Sequence, residues 1–277
     1  MKFSLILATV GRVGELEVFL DSLARQNYPD FELLVVDQNS DDRIAPLIAR
    51  YAGRFALLYL KSSPGLSRAR NVALSRVTGD LVAFPDDDCV YPPYLLERVA
   101  GLLAARTDLG GVSGRCLTAE GTLRGRWAEA PALIGKYNIF GRCISFTMFL
   151  RRALTDRIGP FDETLGLGAP TPWLGAEDFD YLLRAAQAGK VLYDPRVEVY
   201  HPALTTTFDD RDRAKRYGNA LGFGRFLAKH HYPLAFVTYY SGRYLAGAAC
   251  NLAVGRIAKA YYRWATLVGN FEGWFAA

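Results

Sequence analysis

Leu81-Val-Ala-Phe-Pro-Asp-Asp-Asp-Cys89 sets three carboxylates directly after an apolar run, and the reading of that junction decides the fold. Residues 81–84 predict a short strand buried on both faces, because alternate side chains of an extended chain point to opposite sides and all four are apolar. Acids at the end of such a strand serve no core. Side chains two apart share a side, so Asp86 and Asp88 are expected to converge while Asp87 points elsewhere. Two hard oxygen donors at the mouth of an α/β sheet suit Mg²⁺ or Mn²⁺, which bind one or two carboxylates plus the phosphates of a substrate. An acidic turn that only caps the next helix is the competing reading, and the surrounding chain must decide.

Upstream, strand and helix patterns alternate. Phe3–Thr9 reads as a strand, and Leu16, Phe19, Leu20 and Leu23 recur at the spacing of one helical face within residues 14–26. Phe31-Glu-Leu-Leu-Val-Val36 reads as a buried strand. A helix near residues 44–51, a strand at 55–59 and a helix at 67–77 follow. This βαβαβαβ order predicts an α/β fold with a mostly parallel, Rossmann-like central sheet flanked by helices, whose ligands bind beyond the carboxyl ends of the strands. Thr9, Arg12, Asp37, Asp86 and Asp88 all fall at those ends, so one crevice is expected to collect them. The first turn, Ala8-Thr-Val-Gly-Arg-Val-Gly14, lacks GxGxxG, and no GxxxxGK[ST] occurs, which argues against a dehydrogenase and a P-loop NTPase. A diphosphate held by a metal rather than by glycine amides remains.

With 277 residues, 51% of them hydrophobic, the chain is expected to bury one sizeable core with a small appended region. Cys89, Cys116, Cys143 and Cys250 show no CxxC spacing, so neither a zinc site nor a disulfide framework is indicated. The N-terminal apolar run is too short for a secretory signal. Charge is uneven: residues 211–277 hold ten Lys/Arg against two Asp/Glu, while the whole chain is only +5, so the first 210 residues are net acidic. That tail is also rich in aromatics, a mixture typical of chains at a lipid headgroup layer. Residues 235–254 have the length of a membrane span, but Arg243 would sit mid-span at about 2.5–3.5 kcal/mol, so peripheral attachment to an anionic membrane surface is expected instead. No nucleic-acid recognition motif is present.

Val35-Val-Asp-Gln-Asn-Ser40, Gly65-Leu-Ser-Arg-Ala-Arg-Asn71, Phe84-Pro-Asp-Asp-Asp88 and Gly175-Ala-Glu-Asp-Phe-Asp180 occur in the order and approximate spacing of family 2 glycosyltransferases of the GT-A fold. The resemblance covers roughly residues 3–202. It implies an inverting transferase that moves a sugar from a nucleotide-sugar donor, UDP- or dTDP-linked by preference, to an acceptor hydroxyl. The tail is of a kind common in bacterial members, which implies a glycan or lipid-linked acceptor and a place on the cytoplasmic face of the cell membrane. On this reading residues 1–210 form the catalytic domain and 211–277 a helical extension.

The resemblance also distributes roles. Asp37 would accept a hydrogen bond from the base, and Thr9 and Arg12 lie where the family contacts the nucleotide. Asp86 and Asp88 match the family's DxD, with Asp88 on Mn²⁺ or Mg²⁺ and Asp86 on ribose or a metal-bound water; Pro85, where an aliphatic residue is commoner, is a mild departure. His201, in Val-Tyr-His-Pro, would complete the metal shell. Ser67 is read as a helix N-cap; Arg68 and Asn71 then share a face towards the nucleotide and Arg70 points away. Asp178 would be the general base, with Glu177 the alternative base or an acceptor-orienting group and Asp180 in support. Trp173, in the Gly/Pro-rich residues 166–175 that read as a mobile loop, is a candidate acceptor wall, and Thr205, Thr206 and Thr207 suggest a loop over the donor. Two rival readings are a sugar-phosphate nucleotidyltransferase, whose glycine-rich, arginine-containing opening loop is missing here, and a non-catalytic nucleotide-sugar-binding scaffold, which would have no use for the Glu177-Asp178 pair.

Overall fold

A computed structural model describes residues 1–123, 125–202 and 206–276. In chain order the elements are β1 (Phe3–Thr9), α1 (Gly14–Ala24), β2 (Phe31–Asp37), α2 (Ala45–Tyr51), β3 (Ala56–Lys61), α3 (Leu66–Leu74), β4 (Leu81–Ala83), α4 (Leu95–Ala105), β5 (Gly111–Leu117), β6 (Ala132–Leu133), β7 (Met148–Arg151), α5 (Arg152–Ile158), α6 (Glu177–Ala188), β8 (Val191–Tyr200), α7 (Asp210–Lys229), α8 (Leu234–Ala253) and α9 (Ile257–Phe275). The described residues group into two compact units, one of 1–64, 68–161 and 181–202, the other of 65–67, 162–180 and 206–276.

The first unit is built on one sheet of order β3-β2-β1-β4-β7-β5-β8-β6. β3, β2, β1 and β4 run parallel, as the alternating pattern predicts, while β7 is inserted antiparallel between β4 and β5, and β6 is an antiparallel edge. Leu16, Phe19, Leu20 and Leu23 of α1 are buried in one cluster with Phe3, Leu5 and Leu7 of β1 and Leu95, Leu96 and Val99 of α4, each such side chain contributing about 1.5–3 kcal/mol. The remaining β1, β2 and β4 residues Ile6, Leu34, Val36 and Val82 are buried as well, so the central strands read as continuous apolar runs because both sides are covered. Strand order reverses at β1, which has β2 on one side and β4 on the other. Such a switch point leaves a crevice outside the carboxyl ends, and Thr9, paired in register with Asp37, ends β1 there.

At the other end of these strands Glu32 gathers Lys2 Nζ (2.7 Å), Ser4 Oγ (2.6 Å) and the N–H and Oγ1 of Thr78 (both 2.8 Å). Desolvation raises its pKa, but these donors outweigh it and bring the carboxyl down to about 2. A folded-state pKa below the unfolded value adds stability above the ordinary carboxyl range and loses it as pH falls towards about 2. Urea midpoints of the wild type are therefore expected to fall between pH 5 and 3, with a shallower fall for Glu32→Gln; equal slopes would remove Glu32 from the acid response.

The second unit holds the C-terminal helices. Asp209 caps α7 by accepting from the Asp212 N–H at 2.8 Å. Gly273 of α9 lies against the α7 backbone, where a β-carbon would stand 2.0 Å from the Leu221 carbonyl oxygen, so small residues set that close helix crossing. No helix among the described residues is long and apolar enough to cross a membrane. On α9 the buried residues are small or polar, namely Ala260, Thr266, Gly269, Asn270 and Gly273, whereas Ile257, Tyr261, Trp264 and Phe275 are exposed. Their spacing of four, three and eleven residues puts them on one outward stripe.

Candidate functional site

Beyond β4 the chain pairs once more, Ala8 with Asp86, and then turns. The turn brings Asp86 and Asp88 together with His201, which follows β8: one ligand atom from each lies within 4.8 Å of the others. His201 Nε2 is 2.8 Å from Asp88 Oδ1, while its Nδ1 sits 3.2 Å from the Pro202 carbonyl oxygen. Both ring nitrogens face acceptors: Nδ1 donates to the carbonyl, and Nε2 is the nitrogen turned to the carboxylates, where a bound cation would take the place of its proton. Two carboxylates and an imidazole form a donor set that fits Mn²⁺ or Mg²⁺.

Asp87 stays out of that cluster, as expected, but not out of the crevice. It is buried and accepts from Thr9 Oγ1 (2.6 Å) and Arg12 (2.6 Å), and the same guanidinium nitrogen of Arg12 is 2.7 Å from Asp88 Oδ2. The cause differs from the expected one, because residues 87 and 88 form a turn rather than an extended strand. Environment separates the three acids. Burial pushes Asp86 up, with the charges of Asp88 and Asp87 adding and those of Arg70 and His201 opposing; 31% of its side chain still meets solvent. Burial dominates at Asp87 too, raising it. At Asp88 burial is outweighed by His201 and Arg12, which hold the carboxyl below its usual range.

Arg70, expected to point away, is 1% exposed and reaches Asp86 Oδ1 at 3.3 Å. The helix begins at Leu66, and Ser67 lies inside it, donating to the Leu165 carbonyl at 2.7 Å rather than capping. Of the two expected nucleotide contacts on α3, Arg68 donates to Ser63 Oγ at 3.1 Å, and the Asn71 amide brackets Phe161, donating to its carbonyl at 3.0 Å and accepting from its N–H at 2.8 Å. Asp37 ends β2 fully buried, its two oxygens accepting from the Asn39 N–H (2.8 Å) and Nδ2 (2.6 Å), the Tyr59 hydroxyl (2.5 Å) and Lys61 Nζ (2.9 Å). Lys61, 42% exposed and 3.2 Å from Asp42 as well, is the solvent-facing member of this set of donors.

In the second unit Glu177 and Asp178 open α6 and line a cavity of about 370 Å³. Asp178 Oδ1 accepts from the Phe179 N–H at 2.8 Å. Ala176 before them holds φ +69°, a left-handed conformation that costs a non-glycine residue about 1–3 kcal/mol and concentrates at functional sites. Gly222 of α7 lets this segment approach: a β-carbon there would stand 2.3 Å from the Gly175 carbonyl oxygen. Trp173 is half-buried with the Arg225 guanidinium 4.8 Å from its ring centroid, so one indole face is already occupied. Thr205 lies outside the described residues; Thr207 donates to Asp209 and Asp212 at 2.8 and 3.0 Å.

Asp180, one turn on, is fully buried and accepts from Lys229 Nζ (2.8 Å) and His230 Nε2 (2.9 Å), and Lys229 also reaches Asp162 at 2.7 Å. Removing Asp180 leaves the largely buried His230 side chain without this carboxylate and Lys229 with Asp162 alone, so Asp180→Ala is expected to destabilise the protein by about 3 kcal/mol in urea unfolding; a loss below about 0.5 kcal/mol would mean the network carries no net stability.

The family model described as glycosyl transferase family 2 matches residues 4–157. A PGL/p-HBAD biosynthesis glycosyltransferase of Mycobacterium tuberculosis is 32% identical over 165 residues, 58% of this chain and 63% of that protein, so the match spans less than two thirds of the relative's length. The uncharacterized glycosyltransferase YwdF of Bacillus subtilis is 25% identical over 208 residues, 73% of this chain and 74% of its own. Among solved structures, residues 1–349 of Staphylococcus aureus TarS superpose with a TM-score of 0.63 at 18% identity, covering 100% of this chain and 91% of that one. A mannosyltransferase from Pyrobaculum calidifontis in complex with GDP-Man and Mn²⁺ gives 0.68 at 19% identity, covering 97% and 86%. At these identities the superpositions establish a shared GT-A fold.

Proposed function

The chain belongs to glycosyl transferase family 2, and from that premise we propose that it is a metal-dependent, inverting hexosyltransferase that moves a sugar from a nucleotide-sugar donor, UDP- or dTDP-linked by preference, to a hydroxyl of a glycan or lipid-linked acceptor. The observation that carries the reading is the cluster of Asp86, Asp88 and His201 within 4.8 Å beyond a switch point of the sheet, where a diphosphate and its cation belong. Asp88 and His201 would hold Mn²⁺ or Mg²⁺, with Asp86 on the ion's water or the ribose. The bound ion supplies positive charge to the departing diphosphate, where the transition state gathers negative charge. Arg12 lends a second cation at the same mouth, Thr9 and Asp87 fix its direction, and Arg70 restrains Asp86. Asp37 with Tyr59 reads the base, Arg68 contacts the nucleotide, and Asn71 serves it only by holding α3 to Phe161. Asp178 takes the acceptor proton, Glu177 orients the acceptor and the open face of Trp173 packs on it.

In this reading residues 1–210 are the catalytic domain, and 211–277 attach it to the cytoplasmic face of the membrane through the outward stripe of α9. Arg256 before α9 and Lys259 and Arg263 within it add positive charge to the same segment, which suits anionic headgroups. The test is release of nucleoside diphosphate from UDP-, dTDP- and GDP-sugars with Mn²⁺ or Mg²⁺, with and without anionic vesicles. Release from at least one donor, abolished by chelation and raised by vesicles, is expected; metal-independent release would end the cation assignment, and none from any donor would end the transferase assignment.

A further inference from the structure

The cavity of the second unit is lined by groups of opposite charge, Glu177 and Asp178 of α6 and Lys215 and Arg216 of α7. Among the described residues neither cation has a carboxylate within ion-pair distance. Arg216 is half-buried, so the missing partner costs more than at a surface. Its guanidinium is nonetheless fixed: Nε donates to Thr266 Oγ1 at 2.8 Å, one terminal nitrogen makes a long 3.4 Å contact with the Tyr244 hydroxyl, and the central carbon lies 5.7 Å from the centroids of the Tyr244 and Tyr262 rings. A planar fork held in place, with terminal N–H groups to spare and no anion of the protein to meet them, is how arginine is set to receive phosphate. Lys215, exposed at the rim, adds a point charge, and the Tyr240 hydroxyl lines the same wall.

We propose that this cavity binds the acceptor and that the acceptor carries a phosphate, seated at Lys215 and Arg216 with its reacting hydroxyl at Asp178. The inference rests on the reading of Asp178 as the base and adds the chemical class of the substrate. Charge sets the pairing, because a phosphate against Glu177 and Asp178 would meet two carboxylates, whereas against Lys215 and Arg216 it meets two cations. A volume of about 370 Å³ suits a sugar or polyol with one phosphate. Phe223, Tyr240 and Tyr244 add apolar wall beside which a sugar or the first carbons of a lipid chain fit.

The test is binding and needs neither donor nor turnover. The full chain is titrated calorimetrically with sn-glycerol 1-phosphate, n-octyl phosphate below its critical micelle concentration, and uncharged n-octyl glucoside. Saturable binding of both phosphates, at least tenfold tighter than the glucoside, is expected, with a tenfold loss in Arg216→Gln and a smaller loss in Lys215→Gln. Because Arg216 also packs on two tyrosines, the exposed Lys215 variant keeps the result interpretable if Arg216→Gln misfolds. Tighter binding of octyl phosphate than of glycerol phosphate assigns a lipid phosphate, and equal binding a soluble one. Phosphate affinity no greater than that of the glucoside, or unchanged in a folded Arg216→Gln and in Lys215→Gln, overturns the proposal. Phosphate that binds while no nucleotide sugar is ever turned over would count against the transferase reading and leave this site standing; the reverse result would remove only the phosphate.

Discussion

Asp178→Asn is expected to leave donor binding nearly intact and to lower sugar transfer on the order of 10³-fold, the usual worth of a general base. The substitution is close to isosteric. An asparagine side-chain oxygen still accepts from the Phe179 N–H, which meets Asp178 at 2.8 Å, so α6 keeps its first turn and the difference measured is proton affinity. The position favours this acid. The amino end of a helix keeps a carboxyl ionised and therefore able to take a proton, and Asp178 faces the cavity half-exposed. Glu177 is only 9% exposed, and a β-carbon on Gly166 would stand 3.2 Å from its carboxyl group, which leaves it little room to follow a moving proton. Glu177→Gln should accordingly cost less in kcat than Asp178→Asn, with more of its effect in the acceptor KM. Wild-type turnover in Asp178→Asn, or a deeper kcat loss in Glu177→Gln, would transfer the role to Glu177 or remove it from both.

The parallel half of the sheet was legible because its strands are continuous apolar runs and its helices carry their buried residues at 3.6-residue spacing. The antiparallel β7, Met148-Phe-Leu-Arg151, carries no comparable signal: it is four residues long, and its neighbours β4 and β5 are set by pairing across the chain rather than by order along it. Asp86 and Asp88 were expected to meet, and do, but through a turn rather than by strand alternation, and the turn is what recruits Asp87 to Thr9 and Arg12. Arg70 was misjudged for a related reason. Helical spacing says which residues share a face, not which face meets the acids, and with Asn71 bracketing Phe161 it is the face of Arg70 that turns to Asp86. The approach of residues 174 and 175 to α7 was invisible, since Gly218 and Gly222 inside a helical pattern read as weak helix formers until the backbone lying against them is seen.

Asp88→Asn is expected to weaken Mn²⁺-dependent nucleotide binding by about 100-fold or more, the upper end of what loss of an outer-sphere partner costs a metal site, because the proposed reading makes Asp88 a direct ligand. Three contacts converge on this one side chain: His201 Nε2 at 2.8 Å, Arg12 at 2.7 Å, and the shared ligand position with Asp86. An amide keeps the shape but loses the charge that holds two cationic or polarised partners and would offset a divalent ion. Asp86→Asn should cost less, because in the proposed reading Asp86 meets the ion's water or the ribose rather than the ion itself. Asp87→Asn separates the two functions of the turn: it loosens Thr9 and Arg12 without removing a member of the triad, so nucleotide affinity should fall with and without metal alike. Calorimetry with nucleoside diphosphate in Mn²⁺ and in chelator distinguishes the three. An Asp88→Asn protein that keeps its metal-dependent affinity would show that the cation binds elsewhere, and the roles of Asp86 and His201 as its ligands would fall with it.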